Sequence, residues 1–240
     1  EAFSHNGQPH QITKQIVRQW IDDMEEEYKP NSIKTKKGYL TAVFSALITN
    51  DMVNTSNPFK DVKYSAKTPL AEQRRTFTDE EIRLIHQKYP QVFWMIMTGL
   101  RSGEYFSRLY QDLHGQMLTI DRQPSKADWR PKTPSSYRRL PVPKDFELTP
   151  HKIMVSSKTT MLARELSKDI PDPTATVHSA RHTFHSISRR ADCNDSVIKA
   201  ITGHAKKEDS RVAQSYGLFA DDVLLREAQK VWTFIENLLG

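Results

Sequence analysis

The segment HSARHTFH, residues 178–185, sets three histidines and an arginine into little more than two turns of a helix. His178 and His182 are four apart and share a face, as zinc ligands do in the metalloprotease motif. That motif needs a glutamate directly after the first histidine, and position 179 is Ser, with no nearby carboxylate or cysteine completing a ligand set. No metal and no cofactor is therefore expected. The other chemistry open to the segment is phosphate binding. His178 and Arg181 are three apart on one face; a guanidinium grips a phosphate with a planar fork, and an imidazole donates one bond more. On this reading His182 and His185 are structural.

A phosphoryl transition state spreads charge over its equatorial oxygens, which calls for a second cation. TGLRSGE supplies one: Arg101 follows a helix broken at Gly99, and Glu104 stands one turn on to orient it. A nucleophile and an acid remain to be found. ITGHAKKEDSRVAQSYG offers His204 and then Tyr216, the last tyrosine of the chain. With a phenol pKa of about 10, forming phenolate at neutral pH costs roughly 4 kcal/mol, which nearby arginines and a histidine acceptor offset. Taken singly, Arg101 is a structural arginine paired to Glu104 and Tyr216 a packing residue. Only the set gives them chemistry.

The elements that must carry these residues are mostly helical. ITKQIVRQWIDDMEEEY places Ile16, Val17, Trp20, Ile21 and Met24 at helical spacing, and SIKTKKGYLTAVFSALITNDMV does so with Leu40, Val43, Phe44 and Leu47. Lys34, Lys36 and Lys37 stand at the entrance of the second helix, either as a phosphate grip or as a charged face, and NPF at 57–59 ends the pair. A stretch without apolar periodicity follows. Thr78 to Glu81 then reads as a capping box, VFWMIM as a buried helix, and MLTID and RRLPVP as strands of a small antiparallel sheet. The rest is helical: TTMLARELSKD, VHSARHTFHSISRR, SVIKAITGH with Gly203 as C-cap, and DDVLLREAQKVWTFIENLL.

Composition sets the outer bounds. The chain has 240 residues, net charge +6 and 37% hydrophobic residues, enough for a proper core. Its one cysteine, Cys193, excludes an internal disulfide and a cysteine zinc cage. The run VFWMIMTGL is too short to cross a bilayer, and no P-loop is present. Arg122, Lys126, Arg130, Lys132, Arg138 and Arg139 crowd residues 122–139 against one acid, Asp128. Such a run suits a phosphate backbone, or it is a solvated basic loop. The first residue is Glu1 rather than Met, so a processed or partial chain is expected.

Together these residues resemble the tyrosine recombinase (phage integrase) family. The matching elements fall in order: Arg101 in TGLRSGE, Lys132 in KTPSSYRRLP, His178 and Arg181 followed by HTF, the Gly203–His204 pair, and Tyr216. The motifs span about residues 76–217. The gap from His204 to Tyr216 is a few residues longer than in the commonest members, and Lys126 competes with Lys132, which alone has the following Thr133 with Arg138 and Pro141 downstream. The resemblance implies a mainly α fold with a small antiparallel sheet: a helical core-binding domain over 1–66, a linker over 67–75 and a catalytic domain over 76–240.

It implies, further, a site-specific recombinase that cuts and rejoins double-stranded DNA through a 3′-phosphotyrosyl bond, without ATP or metal. Tyr216 would be the nucleophile, Lys132 the general acid, Arg101 and Arg181 the charge-stabilising pair, and His178 and His204 hydrogen-bonding partners. Lys34, Lys37 and Arg138 are candidate DNA contacts. The implied setting is a homotetramer on two DNA sites, with possible DNA-bending accessory proteins, in the cytoplasm of a bacterium or encoded by a phage, and away from any membrane. Competing readings are a type IB topoisomerase, a non-catalytic DNA-binding regulator and a metal-dependent hydrolase. The apolar stripe of the last helix (Val223, Leu224, Ala228, Val231, Trp232, Ile235, Leu238, Leu239) packs either on its own domain or on a neighbouring protomer.

Overall fold

The computed structural model describes residues 8–63, 74–125, 129–149, 155–204 and 219–240. The chain forms two compact units, residues 1–73 and 74–240.

In the first unit, α1 (Lys14–Glu27) begins where the Thr13 hydroxyl accepts from the Ile16 amide at 3.3 Å, relieving one of the amides a helix start leaves orphaned. α2 (Pro30–Thr49) starts on Pro30, whose ring fixes φ for a first turn and whose missing N–H costs nothing there. Val17, Ile21 and Met24 pack with Ile33 and Phe44. Two residues of the expected stripes differ: Ile16 and Val43 are exposed. Their place in the core is taken from outside the helices. Asn57 donates to the Thr41 carbonyl and the Ser45 hydroxyl, both at 2.9 Å, and accepts from the Phe59 amide at 3.0 Å. That clamp sets Phe59 against Phe44 and Trp20, with ring centroids 5.4 and 6.2 Å away. Lys34 is exposed and Lys37 half-buried on α2.

The second unit opens with an anchored arginine. Arg75, expected in the linker, donates to Glu81 at 2.7 and 2.8 Å and to Asp172 at 2.6 Å, and its amide bonds the Thr174 carbonyl. α3 (Asp79–Lys88) has the expected capping box between Thr78 and Glu81. α4 (Pro90–Thr98) is buried on all sides from Val92 onward, so its apolar run has no polar face. It stops at Gly99 in the left-handed conformation (φ 68°), and α5 (Ser102–Ser107) follows. The sheet has the order β1 (Leu113–His114), β2 (Met117–Ile120), β3 (Arg138–Pro141), all antiparallel, with Leu118 opposite Leu140. Four more helices complete the described part: α6 (Val155–Asp169), α7 (Ser179–Arg190), α8 (Asp195–Thr202) and α9 (Asp221–Leu239). The architecture is mainly α with a small antiparallel sheet.

α9 packs on its own unit. Val231, Trp232 and Ile235 are at most 2% exposed within a core shared with α3, α4, α7 and α8, and the Trp232 indole donates to the Met97 carbonyl at 2.8 Å. Of the two expected arrangements the stripe takes the first in this structure, with Val223, Leu238 and Leu239 at its ends only partly buried. No helix among the described residues is long and apolar enough to cross a membrane.

Candidate active site

Two helices of the second unit end in the same dipeptide, Thr-Gly, and the candidate site lies at those ends. Thr98 and Thr202 each return their hydroxyl to the carbonyl four residues back, Trp94 at 2.6 Å and Ile198 at 2.7 Å. Gly99 and Gly203 then turn the chain with φ of 68° and 69°. A Cβ at Gly99 would stand 2.7 Å from the Phe184 ring and 2.9 Å from the Thr202 methyl; one at Gly203 would stand 2.8 Å from the Ser135 carbonyl oxygen. Both glycines are thus required twice, by backbone angle and by close approach. They let the carbonyl-rich C-termini of α4 and α8 meet against the first turns of α7.

Two arginines occupy that junction. Arg181 of α7 donates to the Gly99 carbonyl at 2.8 Å and to the Thr202 carbonyl. Arg138 of β3 donates to the Ile201 carbonyl at 2.6 Å. A cation at a helix C-terminus is stabilised both by the orphan carbonyls and by the helix dipole. The remaining compensation is Glu104, 2% exposed. Its two oxygens take the Arg138 fork at 3.0 Å each, and one takes Arg101 at 2.7 Å. Burial alone would raise this carboxyl; the Arg138 charge and hydrogen bonds, and then Arg101, overcome that and hold it down at about 2. Three guanidiniums around one carboxylate leave a net positive site.

The three are not equally open. The Arg101 side chain is 29% exposed, against 6% for Arg138 and 3% for Arg181. Arg138 was expected to touch DNA. Its fork is instead spent on Glu104, Ile201 and the Ser136 carbonyl, and this expectation is corrected. The basic stretch around it is likewise uneven, since Arg139 pairs with Asp221 at 2.9 Å. Burial, followed by the charges of Arg101 and Arg138, lowers the Arg181 pKa to about 9, so it stays charged at neutral pH.

His204 sits directly after Gly203, and its Nδ1 lies 3.2 Å from Arg181 Nη2. A guanidinium only donates, so Nδ1 is the acceptor and the neutral ring carries its hydrogen on Nε2. Desolvation, then Arg181, Arg101 and Arg138, lowers the His204 pKa to about 4. His178 stands at the start of α7, half-buried and edge-on to the exposed His182 at 5.1 Å between ring centroids. Burial and then Arg74 push His178 down to about 4. Both imidazoles are neutral hydrogen-bonding groups at neutral pH. Among the described residues no group of three or more His, Cys, Asp or Glu could hold a metal ion.

Lys132 is exposed, just before the short 3-10 turn Pro134–Ser136 that leads into β3. It is on the connection between strands, not within one. The turn touches both halves of the site: Ser136 Oγ is 3.4 Å from Arg101 Nη1 and 2.9 Å from Thr133 Oγ1, and Ser135 Oγ donates to the Gly203 carbonyl at 3.5 Å. Lys126 and Tyr216 lie outside the described residues. The structure thus gathers Arg101, Arg181 and His204, and shows His178 on the same helix as Arg181. Sequence reading missed Arg138 and Ser136 as the parts that hold Glu104 and Arg101; the R-x-x-P spacing marked Arg138, but as a DNA contact.

No family model and no curated relative matches this chain. Solved structures do. The Tn1549 transposon integrase, in complex with transposon right end DNA, is 18% identical with a TM-score of 0.59, covering 98% of this chain and 88% of that one. A lambda integrase dimer bound to a COC′ core site is 13% identical with a TM-score of 0.62, covering 90% and 85%. A lambda integrase tetramer bound to a Holliday junction is 14% identical with a TM-score of 0.57, covering 82% and 65%. The chain has the tyrosine recombinase fold.

Proposed function

We propose that this chain is a tyrosine-type site-specific DNA recombinase, an integrase that exchanges DNA strands without metal, cofactor or ATP. The observation that carries the reading is the junction of Arg101, Arg181 and His204 around Glu104 on the fold of DNA-bound integrases. Charge prearranged in a shielded site stabilises a developing phosphorane without reorganisation at the moment of reaction. Arg101, the open guanidinium, meets the scissile phosphate. Arg181 adds its charge from behind and holds His204 with Nε2–H available to a phosphate oxygen. His178 donates from the start of α7.

Tyr216 supplies the nucleophile. Its phenolic oxygen bonds to phosphorus, its proton passes to the unprotonated ring nitrogen of His178, and the bond from phosphorus to the 5′ oxygen breaks. Lys132 gives that leaving oxygen a proton. One phosphoester replaces another of similar energy, so the attack of a 5′-hydroxyl can reverse the step. The first unit contributes Lys34 and Lys37 as backbone contacts in the duplex. The domain roles follow: residues 1–66 bind the core site, 67–75 connect, and 76–240 catalyse. The working form is a homotetramer on two DNA sites, as in the lambda integrase complex with a Holliday junction, with DNA-bending accessory proteins where a site requires them. The place of action is the cytoplasm, on nucleoid DNA.

The test is incubation with nicked suicide DNA substrates followed by a denaturing gel. A covalent protein–DNA band is expected from the wild type and none from Tyr216→Phe, which should keep DNA affinity within a few-fold. Salt-sensitive binding with no adduct in the wild type would mean a DNA-binding regulator instead, and an adduct persisting in Tyr216→Phe would refute the nucleophile.

A further inference from the structure

His185, read from sequence as structural, belongs by position to the site. It lies one helical turn after Arg181, so both project from one face of α7. Its ring meets the His204 ring with centroids 5.0 Å apart and planes at 49°. On its other side is Phe184, edge-on at 6.1 Å. Its Nε2 is buried and has no hydrogen-bond partner among the described residues. Buried nitrogens are ordinarily paired, and among the described residues no bond through that atom holds the ring. Contact is.

We infer that His185 is a positioning residue for strand cleavage, its ring forming the wall that holds His204 where Arg181 fixes Nδ1 and Nε2–H remains free for the phosphate. The inference rests on the recombinase reading above. The charged and titratable groups around the pair are Arg181, His182 and Arg189 of α7, Asp195 of α8, and Arg101, Arg138 and Glu104 across the junction. Five of these are cationic or basic and two are acidic, a setting that disfavours any further imidazolium. Burial and then Arg181 hold His185 down at about 3, and the same causes hold His204 at about 4. A protonated His204 would carry hydrogen on Nδ1 and could no longer accept from Arg181. His204 is otherwise exposed, so the His185 ring 5.0 Å from it is the contact that holds the accepting form in place.

The test uses the full chain labelled with nitrogen-15 histidine, the His204 signal being assigned by its loss in His204→Gln. Single-turnover cleavage of a suicide substrate is followed in parallel from about pH 4.5 to 8. In His185→Ala the His204 titration should move up toward the ordinary value of about 6.5, and cleavage at pH 6 should fall roughly tenfold. His185→Phe keeps the ring without its nitrogens and should restore both readouts. If His185→Ala does not fold, His185→Gln fills the space without a ring and carries the same expectation. A His204 titration unmoved in the ringless variant overturns the inference, as does a His185→Phe protein impaired as badly as His185→Ala. Failure of the recombinase reading looks different: the wild type forms no adduct at any pH, while the His204 titration is still measured.

Discussion

Arg138 holds both oxygens of the Glu104 carboxylate, each at 3.0 Å, in a pair whose side chains are only 6% and 3% exposed. The pair lies behind Arg101 and fixes it through the same carboxylate. Such an arrangement is costly to break, because removing one partner leaves the other charge buried and uncompensated.

Glu104→Gln is therefore expected to destabilise the second unit by about 3–5 kcal/mol, measured by urea unfolding. The amide leaves three guanidiniums without their shared anion. A variant within about 1 kcal/mol of the wild type would mean that solvent, not Glu104, balances the cluster.

Arg138→Lys separates positioning from DNA contact. A lysine cannot reproduce the two-pronged grip, so stability and cleavage should fall while the salt dependence of DNA binding keeps its slope. Lys34→Ala and Lys37→Ala should do the reverse, lowering the slope by up to about 0.9 per lost phosphate contact. Electrophoretic or fluorescence binding at several salt concentrations decides it; a reduced slope in Arg138→Lys would restore that residue as a DNA contact.

Lys132 and Lys126 are distinguished by the leaving group. Loss of the general acid should slow cleavage by about 10²-fold or more. A substrate with sulfur at the 5′ bridging position leaves as thiolate without needing a proton, and should rescue Lys132→Ala. Rescue of Lys126→Ala in its place would move the acid six residues upstream.

The last helix is tested by Trp232→Ala, expected to cost about 3–5 kcal/mol from the cavity and the unpaired Met97 carbonyl. Deletion of residues 222–240 should give an insoluble or unfolded protein. A soluble, cooperatively folding truncation that had lost only assembly would revive the docking alternative.

Acid should unfold the second unit in two stages. His178 and His185 have folded-state pKa values of about 4 and 3, below their ordinary 6.5, so the unfolded chain takes up protons first and stability declines as pH falls from about 6.5 toward 4. Glu104, held at about 2 against an ordinary 4.5, contributes stability that is present above about 4.5 and lost as pH falls through 2. Thermal melts across this range check the sign; His178→Phe should flatten the first stage and leave the second.

Most elements of the fold were legible because each carries its own signal in short range. The capping box at Thr78, the helical stripe of α1, the strand pattern of MLTID and the C-cap at Gly203 depend on residues within a turn or two. The candidate site residues were picked out on a different ground: reactive types stand in an order that resembles a known family. Ile16 and Val43 were misplaced because helical period gives only the direction of a face, and an Asn57 clamp brought Phe59 in from the following loop to fill that core instead.

By itself, then, the sequence determined which segments are helix or strand, that basic groups outnumber acids, and which side chains have the chemistry to handle a phosphate. The tertiary structure alone decided how the arginines divide their work. Arg101, Arg138 and Arg181 are the same residue type in the sequence, yet one is open and two are buried on helix C-termini. The same holds for His185, which faces His204 across 19 residues of chain. The physical reason is range. Propensity and capping act over a few residues of backbone, whereas the charge state and exposure of a guanidinium or an imidazole are set by whatever carbonyls, carboxylates and rings distant segments bring within a few ångströms.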